Sequence, residues 1–365
     1  MNKLFLALGL MIPGIALASG KKIESNALPP CYPSLAENED HIFVAADFIY
    51  WAVKQEGNSY ATTGTANTVP GTSDPNTGII SPKVSHRGSV YSPQLEAKPG
   101  FRVTLGTHLK YDAWKVYANY SYLAGSEESA VASNDINAGI VPLFAYTPNN
   151  GILSTTTLFT SAGATGFISN SSAHWHFQYN NVNFELARSI PLFCNMVLIP
   201  HCGLQGSWQT QKLNATYNVA SVTNSVAKLG DNKIDFHQTF WGVGPRLGLD
   251  SLWECQKHFG IYADSAFALL WGPFKARSKS HDTNLAQGYS NVLIADQLNR
   301  VTTLSPMIEL AIGISSDWIF DKKHLFVASI GWNAQVWFFQ NQHSTSIPDT
   351  DLILQGLDVS LSYDF

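Results

Sequence analysis

From about residue 42 to its last residue, the chain carries stretches in which every second side chain is apolar and polar, charged or small residues stand between. A period of two puts alternate side chains on opposite faces of a β-strand, so each stretch predicts a strand with one greasy face. Ten are predicted. In Ile42 to Lys54, the residues Ile42, Val44, Ala46, Phe48 and Tyr50 share a face and Asp47 lies on the other. Phe101 to Leu109 sets Phe101, Val103, Leu105 and Leu109 against Arg102, Thr104, Gly106 and His108. Trp114 to Tyr122 sets Trp114, Val116, Ala118, Tyr120 and Tyr122 against Lys115, Tyr117, Asn119 and Ser121. His174 to Ala187 opposes Val182, Phe184 and Leu186 to Asn183 and Glu185, with Trp175, Phe177 and Tyr179 out of phase. That slip predicts a bulge near Asn180.

The next three segments follow the same rule. Leu198, Cys202, Leu204 and Trp208 oppose His201, Gln205, Ser207 and Gln209. Trp241, Val243, Pro245, Leu247 and Leu249 oppose Gly242, Gly244, Arg246 and Gly248. Phe259, Ile261, Ala263, Phe267, Leu269 and Trp271 oppose Tyr262 and Asp264. The last three set Ile308, Leu310, Ile312 and Ile314 against Glu309, Gly313 and Ser315; Phe326, Ala328, Ile330, Trp332, Val336 and Phe338 against Ser329, Gly331, Asn333 and Gln335; and Leu357, Val359, Leu361, Tyr363 and Phe365 against Asp358, Ser360, Ser362 and Asp364.

Alternation alone also suits a soluble sandwich; the connections discriminate. In chain order they run long (55–97), short (110–112), long (124–172), short (188–194), long (210–235), short (250–258), long (272–300), short (318–324) and long (340–355). Strict alternation of this kind predicts an all-β, up-and-down antiparallel transmembrane barrel with short periplasmic turns and long extracellular loops. In hydrocarbon every backbone polar group needs an internal partner, so the sheet must close on itself. A hairpin of Ile140 to Tyr146 and Ile152 to Phe159 around Asn149-Asn150-Gly151 would raise the strand count to twelve if it crossed; its short arms favour an extracellular hairpin and ten strands.

Composition sharpens this. Charged residues are 13% of the chain against roughly 25% in ordinary soluble domains, yet no internal run is long and apolar enough for a membrane-crossing helix. A net charge of −5 speaks against a broadly basic nucleic-acid binder. The N-terminus pairs Lys3 with an apolar run from Leu4 to Leu17 and the small-residue site Ala16-Leu17-Ala18. This predicts a signal peptide over 1–18, a periplasmic lead over 19–40 and a barrel over 41–365. Trp51, Trp114, Trp175, Trp208, Trp241, Trp271, Trp318 and Trp332 are expected in interfacial girdles. Tyr363 and the terminal Phe365 form the expected signal read by the barrel-assembly machinery.

Catalytic chemistry is scarce. There is no Cys-x-x-Cys, His-Glu-x-x-His, Gly-x-Ser-x-Gly or Walker loop, so neither enzyme activity nor a cofactor or metal is expected. Gly242, Gly244 and Gly248 follow a strand period and read as small inward residues. His174 and His176 share a face, and His281-Asp282 is the one adjacent pair that a hydrolase at the outer rim could use. The inward set Asp47, Arg102, His108, Lys115, Glu185, His201, Arg246, Asp264 and Glu309 is expected to line a water-filled pore. The competing expectation is a plugged lumen filled by the same groups as ion pairs. Three of the four cysteines, Cys31, Cys194 and Cys255, fall on the periplasmic side, whereas Cys202 faces lipid. That placement suits a disulfide, either Cys194–Cys255 or one to another envelope protein, or else unpaired thiols.

The ordered set Asp47-Phe48-Ile49-Tyr50-Trp51, Gln55-Glu56-Gly57, Pro99-Gly100-Phe101-Arg102, Leu105-Gly106 and Tyr111-Asp112-Ala113-Trp114 carries a family resemblance. It continues in Tyr179-Asn180, Glu185-Leu186-Ala187-Arg188, Pro200, Gly203-Leu204, Phe240 to Arg246 and Leu270 to Phe274. Together these resemble the Legionella-type major outer membrane protein family, a pore-forming group also expanded in environmental chlamydiae. The resemblance implies a porin-like channel in the bacterial outer membrane, passing ions and small hydrophilic solutes, in an envelope stabilised by disulfide cross-links. Outer-membrane lipid is the expected surroundings, and a homo-oligomer is an expected assembly. The alternative function is a narrow or plugged barrel acting through its loops as an adhesin or structural envelope protein.

Overall fold

The computed structural model describes residues 41–63, 66–67, 83–84, 88–109, 113–132, 140–144, 166–193, 195–221, 228–256, 258–285, 288–320, 324–342 and 350–365. The segments expected as signal peptide and lead, with Cys31, and also Cys194 and residues 145–159 of the expected hairpin fall outside these residues. Ten long strands build one sheet: β1 (His41–Gln55), β2 (Leu95–His108), β3 (Trp114–Ala132), β4 (Gly166–Arg188), β5 (Met196–Ser221), β6 (Lys228–Gln256), β7 (Phe259–Asn284), β8 (Tyr289–Phe320), β9 (His324–Trp337) and β10 (Leu352–Asp364). Each pairs antiparallel with the next, and β10 pairs antiparallel with β1, which closes the barrel. Ile140–Pro142 pairs with Ala61–Thr63 in a small separate sheet, so it adds no strand to the barrel wall.

The pairings wind as one screw. From Phe43 they lead through Gly106, Tyr117, Glu185, Gly203 and Arg246. They continue through Ala268, Met307, Trp337 and Leu352 and return to β1 at Gln55, twelve residues beyond the start. A stagger of this size goes with strands tilted roughly 35–45° to the barrel axis. All residues of the circuit sit on the inward face, so it also orders the interior from the short-turn end to the long-loop end.

The faces are inverted relative to a soluble protein. Phe48, Leu105, Phe184, Leu204, Leu247, Phe267, Leu310, Ile312 and Leu361 are exposed on the outer face, while Glu185, His201, Gln205, Arg246 and Asn333 are buried inside. An apolar outer band this wide is stable only in contact with hydrocarbon.

Three expectations need correction. The predicted bulge near Asn180 is absent, because β4 holds unbroken register with β3 and β5 through that point. Trp175, Phe177 and Tyr179 point inward on the same face as Glu185; the interior changes from polar to apolar and the backbone does not slip. For the same reason Trp51 and Trp175, expected in a girdle, are 0% exposed inside the barrel. Trp208, Trp241, Trp271, Trp318 and Trp332 do lie on the outer face, as does Trp114, half-buried beneath the Arg188 guanidinium.

The segments 210–235 and 272–300, expected as long loops, are largely strand. The β5–β6 ladder runs out to Ala220–Lys228 and the β7–β8 ladder to Asn284–Tyr289. Beyond the membrane neither face meets hydrocarbon, so the apolar alternation that marks the lower wall fades while the pairing continues.

Candidate functional site: the barrel interior

At the short-turn half, side chains from nine of the ten strands meet in a connected network of charged and polar groups. Arg246 on β6 donates from Nη2 to Glu309 Oε2 on β8 at 2.7 Å and lies 2.9 Å through Nε from Glu185 Oε1 on β4. Arg102 on β2 reaches Asp47 at 3.5 Å, Asp358 at 3.6 Å and Glu309 at 3.8 Å. Asn333 and Gln335 donate to Glu309 Oε1 at 2.9 and 3.1 Å, so that carboxylate is held by β2, β6 and β9. His201 bridges Glu185 and Asp250, its Nε2 being 3.1 Å from Asp250. Tyr117 donates its hydroxyl to Glu185 at 2.9 Å. Deeply buried charges persist only when paired and hydrogen-bonded in this way.

Small residues make the crossings possible. Ala266 and Ala268 on β7 lie beneath the Arg246–Glu309 bridge, as register partners of Glu309 and Arg246. A Cβ at Gly248 would collide with the imidazole of His201. The glycines of β6 therefore serve packing on an inward face, as their period predicts. The network surrounds a cavity of about 370 Å³ lined by Asp47, Arg102, Glu185, His201, Arg246, Asp264 and Glu309, among others.

Toward the long-loop end the lumen changes character. Ile49, Trp51, Leu123, Phe177, Tyr179, Leu270, Met307, Trp337 and Leu354 belong to one interior cluster, and each is 0% exposed. Rings set the packing: Tyr179 and Trp337 meet edge-on with centroids 5.9 Å apart, and Phe240 stacks on Phe274 at 4.3 Å. Polar tips at the boundary are satisfied from below. Trp51 Nε1 donates to Asp358 at 2.5 Å, the Tyr179 hydroxyl donates to Gln335 at 3.1 Å, and the Arg102 guanidinium lies 5.7 Å over the Trp51 ring. Leu213, Tyr217 and Ile234 continue the cluster into the extended wall of β5 and β6.

All nine residues predicted for the lumen lie on the inward face. Seven line the cavity; His108 and Lys115 stand nearer the short-turn rim, where His108 lies 3.2 Å from Asp364 and Lys115 sits over the Tyr117 ring. Asp250 and Asp358 complete the network and were not singled out from sequence, although both continue the inward parity of β6 and β10. Asn183 is buried in an amide ladder, donating to Asn119 and accepting from Asn181, each at 3.1 Å.

Elsewhere, Asp282 is buried while its neighbour His281 lies on the opposite strand face, so the two do not form a shared site. His176 meets Ser126 at 2.9 Å on the outer wall. No group of three or more metal-ligating side chains is assembled among the described residues. Cys202 and Cys255 are exposed free thiols in the chain described, and the expected Cys194–Cys255 pairing involves Cys194, which lies outside the described residues. Tyr363 and Phe365 lie on the outer face with ring centroids 5.8 Å apart, and the Phe365 backbone pairs with Ile42 across the closing seam.

Among solved structures, the chain is similar to the outer membrane protease OmpT of Escherichia coli, with 10% identity, 91% of this chain and 99% of that one covered, and a TM-score of 0.33. A FadL homologue of Pseudomonas aeruginosa shows 8% identity over 89% and 90% of the two chains with a TM-score of 0.25. OprG of the same organism shows 9% identity over 90% and 98% with a TM-score of 0.19. No curated protein sequence matches the chain. The family model described as Legionella pneumophila major outer membrane protein precursor matches residues 34–365. With an apolar outer band, a closed ten-strand wall and that match over nearly its whole length, the chain belongs to the Legionella major outer membrane protein family and is an outer-membrane β-barrel.

Proposed function

We propose that this barrel is a narrow channel for ions and small hydrophilic solutes, held shut at rest by its apolar layer. The observation that supports this is the contrast between the two halves of the lumen. A buried ion network stabilises a fold no more than apolar packing of the same volume, and often less. The chain fills the loop-end half with aromatic and aliphatic side chains, so it could have filled the other half likewise. It keeps there a cavity of about 370 Å³ walled by carboxylates, guanidiniums and imidazole, groups that exchange readily with water and dissolved ions. An apolar constriction above a charged vestibule blocks ions by excluding water, and it conducts when its side chains part and the gap wets.

The experiment is conductance of the folded, heat-modifiable protein in planar bilayers. Wild type is expected to open rarely and to small steps. Phe177→Ala and Trp337→Ala, which hollow the layer from opposite walls, are expected to raise open time or step size several-fold. A folded double variant that stays silent would overturn the channel.

A second reading is a permanently sealed barrel acting at the cell surface through its loops. The complete burial of Trp51, Trp175, Phe177, Tyr179 and Trp337 favours it. Shortening the distal β7–β8 hairpin would then abolish attachment to cells or matrix without touching conductance. Under either reading, Tyr363 and Phe365 would present the seam strand to the barrel-assembly machinery, and Cys255 would be available for cross-linking to envelope proteins.

A further inference from the structure

Conduction through the lumen does not use the outer wall of β5 to β8, which carries charge in an ordered way. Trp208, Trp241 and Trp271 mark the upper border of the apolar band; Trp208 and Trp241 are register partners, and Trp271 pairs with Val243 on the same face. Four residues further out along each of these strands stands a cation or titratable base: Lys212, His237 and Lys275. At about 3.3 Å per residue and the tilt given above, that step rises roughly 10 Å, about the depth of a headgroup layer.

Lateral pairing joins these groups. Lys212, His237 and Arg277 form one cross-strand row, and Lys275 lies directly opposite Arg300. Two like charges directly across a ladder are unfavourable by themselves. Lys212, His237, Lys275, Arg277 and Arg300 are all exposed. Partial burial and the neighbouring Lys212 lower the His237 pKa below the usual imidazole value. Asp296, hydrogen-bonded to Arg277 at 2.8 Å, and Asp235 are the acids interspersed here, fewer than the cations.

We propose that this belt binds phosphorylated glycolipid of the outer leaflet, the cations engaging headgroup phosphates while the Trp208–Trp241–Trp271 patch holds the acyl chains. Placement selects a lipid over a soluble anion. The cations follow the membrane border strand by strand, and an acyl-binding surface continues directly below them. Phosphate between Lys275 and Arg300 would turn a repulsive pair into two charge-assisted contacts.

The test titrates detergent-folded full-length protein with bisphosphorylated lipid A and with the same glycolipid stripped of phosphate, reading binding by native mass spectrometry. Wild type is expected to retain the phosphorylated form and lose the stripped form. Lys212→Gln/Lys275→Gln/Arg300→Gln is expected to weaken retention by roughly tenfold or more, while Lys54→Gln on the opposite wall leaves it unchanged. Heat-modifiable mobility of the triple variant verifies folding, and should it misfold, Lys275→Gln alone, expected to lose several-fold, carries the test. Equal retention by a folded variant, equal binding of the stripped lipid, or displacement by inorganic phosphate or polyglutamate at matched charge would each overturn the proposal.

Discussion

Arg246 on β6 and Glu309 on β8 are joined at 2.7 Å across the intervening β7, and they meet because that strand offers only Ala266 and Ala268 beneath them. Neither side chain could span the gap over a larger residue. The pair is thus a joint property of three strands.

Replacing Arg246 with Met leaves Glu309 and Glu185 without their shared guanidinium. The expected cost is about 3–5 kcal/mol, the range for breaking a buried pair from one side. Adding Glu309→Gln to Arg246→Met should recover part of it. Thermal unfolding in detergent, followed by the shift in gel mobility, gives both values; strict additivity would show that the two groups do not communicate.

Ala268→Leu should destabilise by about 1–3 kcal/mol through overpacking. Because the new side chain enters between Arg246 and Glu309, its effect should shrink when Arg246 is already Met. A double-mutant cycle on the same unfolding assay measures the coupling.

Trp51→Phe keeps the ring and removes the Nε1 donor to Asp358. A buried carboxylate that loses a donor costs about 1–3 kcal/mol. Phe177→Leu, with no polar partner to lose, should cost less. The reverse order would mean that Asp358 is held by Arg102 alone.

The two exposed thiols report on opposite environments. Cys202 lies on the lipid-facing side of β5 and should react with a membrane-soluble maleimide. Cys255, at the β6–β7 turn, should react with a charged maleimide, without prior reduction, only after the outer membrane is permeabilised. Labelling of Cys255 on intact cells would reverse the orientation of the barrel.

Most of the wall was legible in the sequence because hydrocarbon imposes one rule on every outward position between the borders. Ile312, Leu361 and their equivalents had to be apolar whatever their neighbours. The interior obeys no single rule. Trp175, Phe177 and Tyr179 are inward yet as apolar as any lipid-facing residue, and a two-letter pattern read their change of environment as a change of face. The charged residues were legible singly through inward parity. Their partnerships were not, since Arg246 and Glu309 are 63 positions apart and only the winding of the barrel brings them together. The roles of Asp250 and Asp358 are hidden for the same reason: each takes its partner, His201 or Arg102, from a strand remote in sequence.

Apart from the bulge opposite Trp51–Val53 near the long-loop end, the screw that carries Phe43 round to Gln55 leaves little room in the wall for a miscount. One residue added to β7 between Asp264 and Trp271 would swing either the carboxylate toward lipid or the indole toward the lumen. Strands β6 and β8, tied to it on both sides, would have to follow. Changes of chain length are therefore harmless only beyond the rims, and the barrel's freedom to vary is confined to the segments that touch neither lipid nor lumen.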